Sequence, residues 1–415
     1  MAELRIEGGR RLFGEISVQG AKNSALPLLA AAFCVPAGCS LFNVPALSDV
    51  DATIAILRHL GCAVRRRGSQ VSVDASTPQR CTIPPGLMRE LRSSIFLLGP
   101  LLARFGRAEI YMPGGCKIGA RPIDLHLSAM ESLGAHIRRT EEKIILRMPH
   151  GLRGADIHLR FPSVGATENI IMAAACAKGD TTLFGAAREP EITDLACFLN
   201  RCGAKISGAG TGIITISGIR RLHGCSYHVM PDRIVAGSCL SAAAVTGGEL
   251  LLRGVEHTHL APVLPVFRRM GCRVTAVNDA MHLLAPRRLS PFGELSTAPY
   301  PGFPTDSQAA FLAMSCTASG ESFITENIFE SRFKQARELA KMGAQISIRG
   351  RRARILGVPR LHGAVVRSMD LRGGAALAVA ALGASGETTI TNAELIARGW
   401  EDIGGTLRRL GASVK

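Results

Sequence analysis

The sequence predicts an α/β protein of two similar domains, each made of three repeated α/β units. Three observations lead there. A glycine motif recurs six times at near-constant spacing, helical and extended patterns alternate in phase with it, and an N-terminal strand belongs to no repeat.

The motif is the end of a helical stretch, then Gly, a small residue, a variable residue and a β-branched aliphatic. The first half carries Leu60-Gly61-Cys62-Ala63-Val64, Leu133-Gly134-Ala135-His136-Ile137 and Cys202-Gly203-Ala204-Lys205-Ile206. The second half carries Met270-Gly271-Cys272-Arg273-Val274, Met342-Gly343-Ala344-Gln345-Ile346 and Leu410-Gly411-Ala412-Ser413-Val414. Successive glycines lie 73, 69, 68, 72 and 68 residues apart, a regularity that marks duplication. Each glycine stands where a helix C-terminus needs a left-handed residue before the chain enters a strand.

The remaining elements follow in order. Units open with a small-residue apolar helix, as at 24–33, 166–177, 236–245 and 374–382. A turn and strand come next, as at 38–42 and 386–391, then the second helix, the glycine turn, a strand and a closing strand. Closing strands read 71–73, 144–146, 213–216, 281–284 and 354–356. The sixth unit reaches Lys415 before its closing strand, and the orphan strand 4–7 has the character to fill that gap. The expected domains are therefore 21–229 and 1–20 plus 230–415, with crossovers near Gly20 and Met230. A substrate cleft between two such domains is the expected place for small-molecule chemistry.

Composition narrows the class. Of 415 residues 47% are hydrophobic and 20% charged, enough apolar material for two cores. No apolar run approaches the ~18 residues of a membrane helix, and the N-terminus lacks a basic region followed by an apolar stretch, so a cytoplasmic location is expected. The net charge of +16 is dispersed, with small knots such as Arg65-Arg66-Arg67, and one Trp and three Tyr offer little to stack bases on. That pattern suits anionic small substrates and a solvated basic surface rather than nucleic acid. The 12 cysteines include no C-x-x-C pair; Cys34 with Cys39 and Cys197 with Cys202 are the nearest, at poor zinc spacing. Most thiols are expected to be small buried hydrophobes, and no metal site is expected. There is no Walker loop, no G-x-G-x-x-G opening a nucleotide fold and no clustered His, so no cofactor is expected either.

Two residues stand out by setting. Cys116 lies in a glycine-rich loop beside Lys117 and Arg121, surroundings that lower a thiol pKa. Asp306 follows Pro304-Thr305 ahead of a helix expected from Ser307, where the common task of an Asp is to cap the helix.

The motifs Gly20-Ala21-Lys22-Asn23, 113–122 with Cys116 inside it, 161–167, 187–192, 231–234, Gly302-Phe303-Pro304-Thr305-Asp306 and Asp370-Leu371-Arg372 together make the chain resemble the enolpyruvyl transferases, over its whole length. The resemblance is closer to the branch that acts on UDP-N-acetylglucosamine. It implies two domains as inside-out α/β barrels and transfer of the enolpyruvyl group of phosphoenolpyruvate to the sugar 3-hydroxyl, the first committed step of peptidoglycan precursor synthesis. Cys116 is then the acid that protonates phosphoenolpyruvate, on a lid loop, and Asp306 the acceptor for the 3-hydroxyl proton. Lys22, Arg121 and Arg398 would surround phosphoenolpyruvate, with Asn23 beside Lys22 and with Arg332 and Arg372 nearby, steadied by Asp370. The nucleotide sugar would meet Arg92, Arg121, Pro122, Ile123, Asp124, Leu125, Ser163, Val164, Gly165 and Ile328, the diphosphate lying at the helix start after Ser163. A monomer is the expected state.

Several positions depart from the family pattern: Val235 where Glu is usual, Ser307-Gln308-Ala309-Ala310 for Met-Gln-Ala-Gln, Ala397 for Asp, and Trp400 for Tyr. A divergent, weakly active or regulatory second copy of the enzyme is the alternative they raise. The Cys-bearing segment 113–122 discriminates against the shikimate-pathway enolpyruvyl transferase.

Overall fold

The structure is a computed structural model that describes residues 2–90, 92–111 and 122–415, with backbone alone at 89, 90, 92 and 93. The chain folds as two compact units. The terminal unit holds residues 2–19 and Pro231–Lys415; the mid-chain unit holds the described residues from Gly20 to Met230.

Among the described residues the strands form six sheets, three in each unit, and one strand order recurs: a short edge strand, the strand after the first helix, the closing strand, and the strand after the glycine turn. In the mid-chain unit this reads Ser226–His228, Gly38–Phe42, Gln70–Asp74, Ala63–Arg67, and again Asp156–His158, Asp180–Phe184, Ile213–Ser217, Lys205–Ser207. Its third sheet, Arg107–Tyr111, Lys143–Arg147, His136–Arg139, has a single parallel bridge from Thr82 to Glu109 at the edge position. Each edge segment belongs to the end of another repeat of the same unit. Ser226–His228, the end of the third repeat, pairs in parallel with Gly38–Phe42 of the first, so the unit closes on itself.

The terminal unit closes the same way, with Phe13–Ser17 in parallel beside Glu249–Arg253. The strand Glu3–Glu7 takes the closing position of the sixth sheet, antiparallel to Glu387–Thr391 on one side and Ser413–Val414 on the other. Its alternation explains the docking: Leu4 and Ile6 point inward and are buried, while Glu3, Arg5 and Glu7 face solvent.

Helices lie inside and sheets outside. Arg233–Val245, Thr305–Ser315 and Leu371–Gly383 pack against one another and are buried around almost their whole surface, as their all-round apolar sequences require. Fully burying side chains such as Phe311 or Leu377 contributes about 1.5–3 kcal/mol each. Small residues permit the close approach: a Cβ on Gly374 would lie 2.3 Å from Ser368 Oγ and 2.8 Å from Ile396 Cγ1. The six motif glycines all take positive φ, from 90° to 101°, the left-handed turn that their position at helix ends demands.

All four of the opening helices named from the sequence start two or three residues earlier than the apolar pattern suggests, at Lys22, Val164, Arg233 and Leu371 rather than 24, 166, 236 and 374. Asp232 and Asp370 cap the last two, where the charged Arg233 and Arg372 interrupt the apolar pattern of the first turn. Asp232 Oδ1 accepts from the N–H groups of Ile234 (2.9 Å) and Val235 (3.0 Å). No helix among the described residues is long and apolar enough to cross a membrane.

Candidate active site

In the terminal unit a buried constellation of charged side chains centres on Asp306. It occupies the first turn of Thr305–Ser315, whose N-cap is Pro304 with no side-chain cap bond, so the capping task expected of Asp306 is corrected: the helix begins one residue before it. Its carboxylate instead serves two guanidiniums. Arg332 Nη2 donates to Oδ1, and Arg372 Nη2 donates to Oδ2 at 3.1 Å. The side chains of Arg332 and Arg372 are only 4% and 7% exposed, so little water screens these bonds. Burial alone would push the Asp306 carboxyl up. The charges of Arg372 and Arg332, with Arg233 adding to them, outweigh it and hold the carboxyl well below the usual carboxylate range.

The supports come from distant sequence. Asp370 Oδ1 accepts from the N–H groups of Arg372 (3.0 Å) and Gly373 (2.9 Å), which fixes the helix start that carries Arg372. Asp370→Ala is expected to cost about 1 kcal/mol of stability by denaturant titration, with Asp370→Asn retaining most of it. The Arg332 guanidinium lies over the Phe329 ring at 5.6 Å. Buried Glu326 organises the neighbouring loop: Oε1 accepts from the Ile328 N–H (2.8 Å) and the Phe329 N–H (3.1 Å), and Oε2 from Thr305 Oγ1 (2.9 Å). Glu326 and Arg233 were both missed by sequence reasoning as site residues. The motif around 231–234 signalled Arg233, whereas nothing local marks Glu326. Arg398 ends the turn Ala393–Arg398 and is half-buried, and Gln19 ties down the following segment through Gly399 and Glu401.

Val235 and Trp400 are buried in the hydrophobic core, Ser307 is buried in the helix after Asp306, and Ala397 is exposed.

In the mid-chain unit Lys22 opens the helix Lys22–Ala32 and pairs with the Asp49 carboxylate, both side chains at most 10% exposed. Asn23 stands beside it, half-buried. Ser163 caps the helix Val164–Ala174, its Oγ accepting from the Ala166 N–H at 3.4 Å, so the first turn includes Val164 and Gly165. Gly165 is pressed against His126 and Phe96: a Cβ there would lie 3.2 Å from His126 Cε1 and 3.1 Å from Phe96 Cε1. His126 Nδ1 meets Asn169 Nδ2 at 2.8 Å, and the same amide donates to the Ile95 carbonyl. Asp124 starts the helix Asp124–Ser132 and pairs with exposed Arg160; Pro122 is exposed, Ile123 buried and Leu125 half-buried. Cys116, Lys117 and Arg121, and the side chain of Arg92, lie outside the described residues.

The structure thus brings Asp306, Arg332, Arg372 and the Asp370 cap into one cluster, and Lys22 with Asp49 and Ser163 with Gly165 into local arrangements of the other unit. Comparison with known proteins identifies the family. The EPSP synthase (3-phosphoshikimate 1-carboxyvinyltransferase) family model matches residues 6–407. The chain belongs to that family. Among enolpyruvyl transferases it is similar to UDP-N-acetylglucosamine 1-carboxyvinyltransferase 2 of Caldanaerobacter subterraneus subsp. tengcongensis, 47% identical with 100% of this chain and 99% of the relative covered. UDP-N-acetylglucosamine 1-carboxyvinyltransferase 1 of Staphylococcus aureus is 43% identical at the same coverage. Among solved structures, the enolpyruvyl transferase NikO from Streptomyces tendae superposes with a TM-score of 0.90 at 28% identity, covering 100% of this chain and 98% of that one. EPSP synthase from Acinetobacter baumannii, at TM-score 0.76 and 19% identity over 100% and 99%, shares the fold.

Proposed function

We propose that this enolpyruvyl transferase moves the carboxyvinyl group of phosphoenolpyruvate to the 3-hydroxyl of UDP-N-acetylglucosamine, releasing phosphate. The observation that carries the reading is Asp306, ionised and held between two buried guanidiniums. A carboxylate so placed can accept from a sugar hydroxyl, and the guanidiniums can bind carboxylate or phosphate through paired N–H donors. The full-length kinship supports the substrate pair.

Addition and elimination follow. The sugar 3-hydroxyl gives its proton toward Asp306 as its oxygen bonds to C2 of phosphoenolpyruvate, and C3 takes a proton from Cys116. In the elimination the tetrahedral adduct returns a C3 proton to the Cys116 thiolate as the C2–O bond to phosphate breaks and inorganic phosphate leaves. While both arginines bond it, Asp306 is a weak base and chiefly orients the hydroxyl. When substrate anions draw on Arg332 and Arg372, the carboxylate regains basicity as the hydroxyl arrives. Lys22, Asn23, Arg121 and Arg398 serve phosphoenolpyruvate in this reading; Arg92, 122–125, Ser163, Val164, Gly165 and Ile328 serve the nucleotide sugar. The same reading puts the enzyme in the cytoplasm as a monomer, at the entry to peptidoglycan precursor synthesis and so upstream of cell shape and division.

The test is phosphate release with both substrates, on wild type and Cys116→Ala. Release that requires both substrates and falls roughly 10²–10⁴-fold in the variant is expected. No release from folded wild type would sink the assignment, and undiminished release by Cys116→Ala would move the proton donor elsewhere.

A further inference from the structure

The mid-chain unit gathers three cysteines that the reaction above does not use. Cys39 lies on the strand Gly38–Phe42, Cys202 follows the helix Pro190–Arg201, and Cys225 immediately precedes the strand Ser226–His228. Their three sulfurs all lie within 4.8 Å of one another, with Cys202 Sγ 3.3 Å from Cys225 Sγ. Cys39 and Cys202 are buried, and Cys225 is half-buried.

The backbone holds this triangle from three directions. The Ser40 N–H donates to the Cys225 carbonyl at 2.9 Å, which locks the Cys39 strand to the Cys225 segment. The Cys202 N–H donates to the Phe198 and Leu199 carbonyls, and its own carbonyl accepts from the His223 N–H at 2.9 Å. Three sulfurs bound in a plane to one ion at about 2.3 Å would stand about 4 Å apart, and these sulfurs stand 3.3 Å apart for Cys202 and Cys225 and within 4.8 Å for all three.

We propose that Cys39, Cys202 and Cys225 form a binding site for a soft, thiophilic cation of the copper(I) type. Three thiolates are a soft donor set, and soft sulfur ligands select such ions. Among the described residues no fourth His, Cys, Asp or Glu side chain joins the group, and structural zinc sites are almost always closed by four protein ligands. On binding, each sulfur exchanges its proton for a bond to the ion, and no electron is transferred. The ion would tie the end of the third repeat to the sheet of the first, the strand pairing that closes the unit.

The test is titration of the reduced full-length chain with copper(I) under argon against a competing chelator, followed by X-ray absorption on the wild-type complex. One tightly held ion per chain with three sulfur neighbours is expected. Loss of that ion is expected in Cys225→Ser and in the Cys39→Ser/Cys202→Ser/Cys225→Ser variant, with retention in Cys197→Ser, whose thiol is exposed elsewhere. Retention of the ion by the triple variant, fewer than three sulfurs around it, or preferential capture of zinc with nitrogen or oxygen ligands would overturn the site. The absorption measurement needs no variant, so a misfolded serine variant leaves the proposal open to refutation.

Discussion

Asp306→Asn is expected to lower turnover by roughly 10²–10⁴-fold in a phosphate-release assay, with a smaller change in KM. The amide keeps the shape and one acceptor oxygen but cannot take the hydroxyl proton. It also leaves Arg332 and Arg372 facing each other without the carboxylate that both now bond. Removing one partner of a buried ion pair typically costs about 3–5 kcal/mol, and the 28% exposure of the Asp306 side chain puts the expected loss at the low end. Turnover and stability therefore fall together, and pH separates them. The folded carboxyl lies below its unfolded value of about 3.9, so its stabilising contribution is complete above that pH and is lost as pH falls through the folded value. The stability gap between wild type and Asp306→Asn, followed by denaturant midpoint, should be full at pH 7 and shrink below about pH 4. A gap unchanged at pH 3 would mean that the arginine bonds to Asp306 do not operate in solution.

Gly20→Ala is expected to destabilise the mid-chain unit by about 3 kcal/mol. A Cβ at position 20 would lie 1.8 Å from the Asn43 carbonyl oxygen and 3.0 Å from its carbon. That oxygen cannot retreat easily. Asn43 sits at φ 57°, its Nδ2 donates to the Val229 carbonyl at 3.0 Å, and the Ala21 N–H donates to the Met230 carbonyl at 2.7 Å. The start and end of the unit therefore meet at this one point. Gly38→Ala is the control: nothing lies within 4 Å of a Cβ there, and its denaturant midpoint should barely move. Because Gly20 stands two residues before Lys22, Gly20→Ala should lose activity even at temperatures where it remains folded. Equal midpoints for the two variants would show that the chain relaxes around Asn43.

Much of the fold was legible because its signals are local. A glycine ending a helix takes positive φ whatever surrounds it, and six such glycines at regular spacing revealed the repeat. The closing strands were readable from alternation: Ile214 and Ile216 are buried while Ile213 is exposed, the period-2 pattern of a half-buried strand. The three-residue edge strands were not, since Asp156–His158 or Ser226–His228 carry too few residues for a period to show. The candidate site divides the same way. Asp306 was visible through neighbouring residues, but the capping task expected of it was wrong because its partners lie 26 and 66 residues away.

By itself, then, the sequence determined the repeat, the glycine turns, the alternation of helix and strand and the strand left over for the sixth unit. These rest on backbone conformation and hydrophobic period, which neighbouring residues set. Only the tertiary structure decided which cations neutralise Asp306, that Asp370 serves as a helix cap, that Glu326 organises the loop at Ile328, and that Cys39, Cys202 and Cys225 converge. Hydrogen-bonded ion pairs and thiol contacts need separations of a few ångströms, and distances that short between remote residues exist only once packing has placed the helices and sheets.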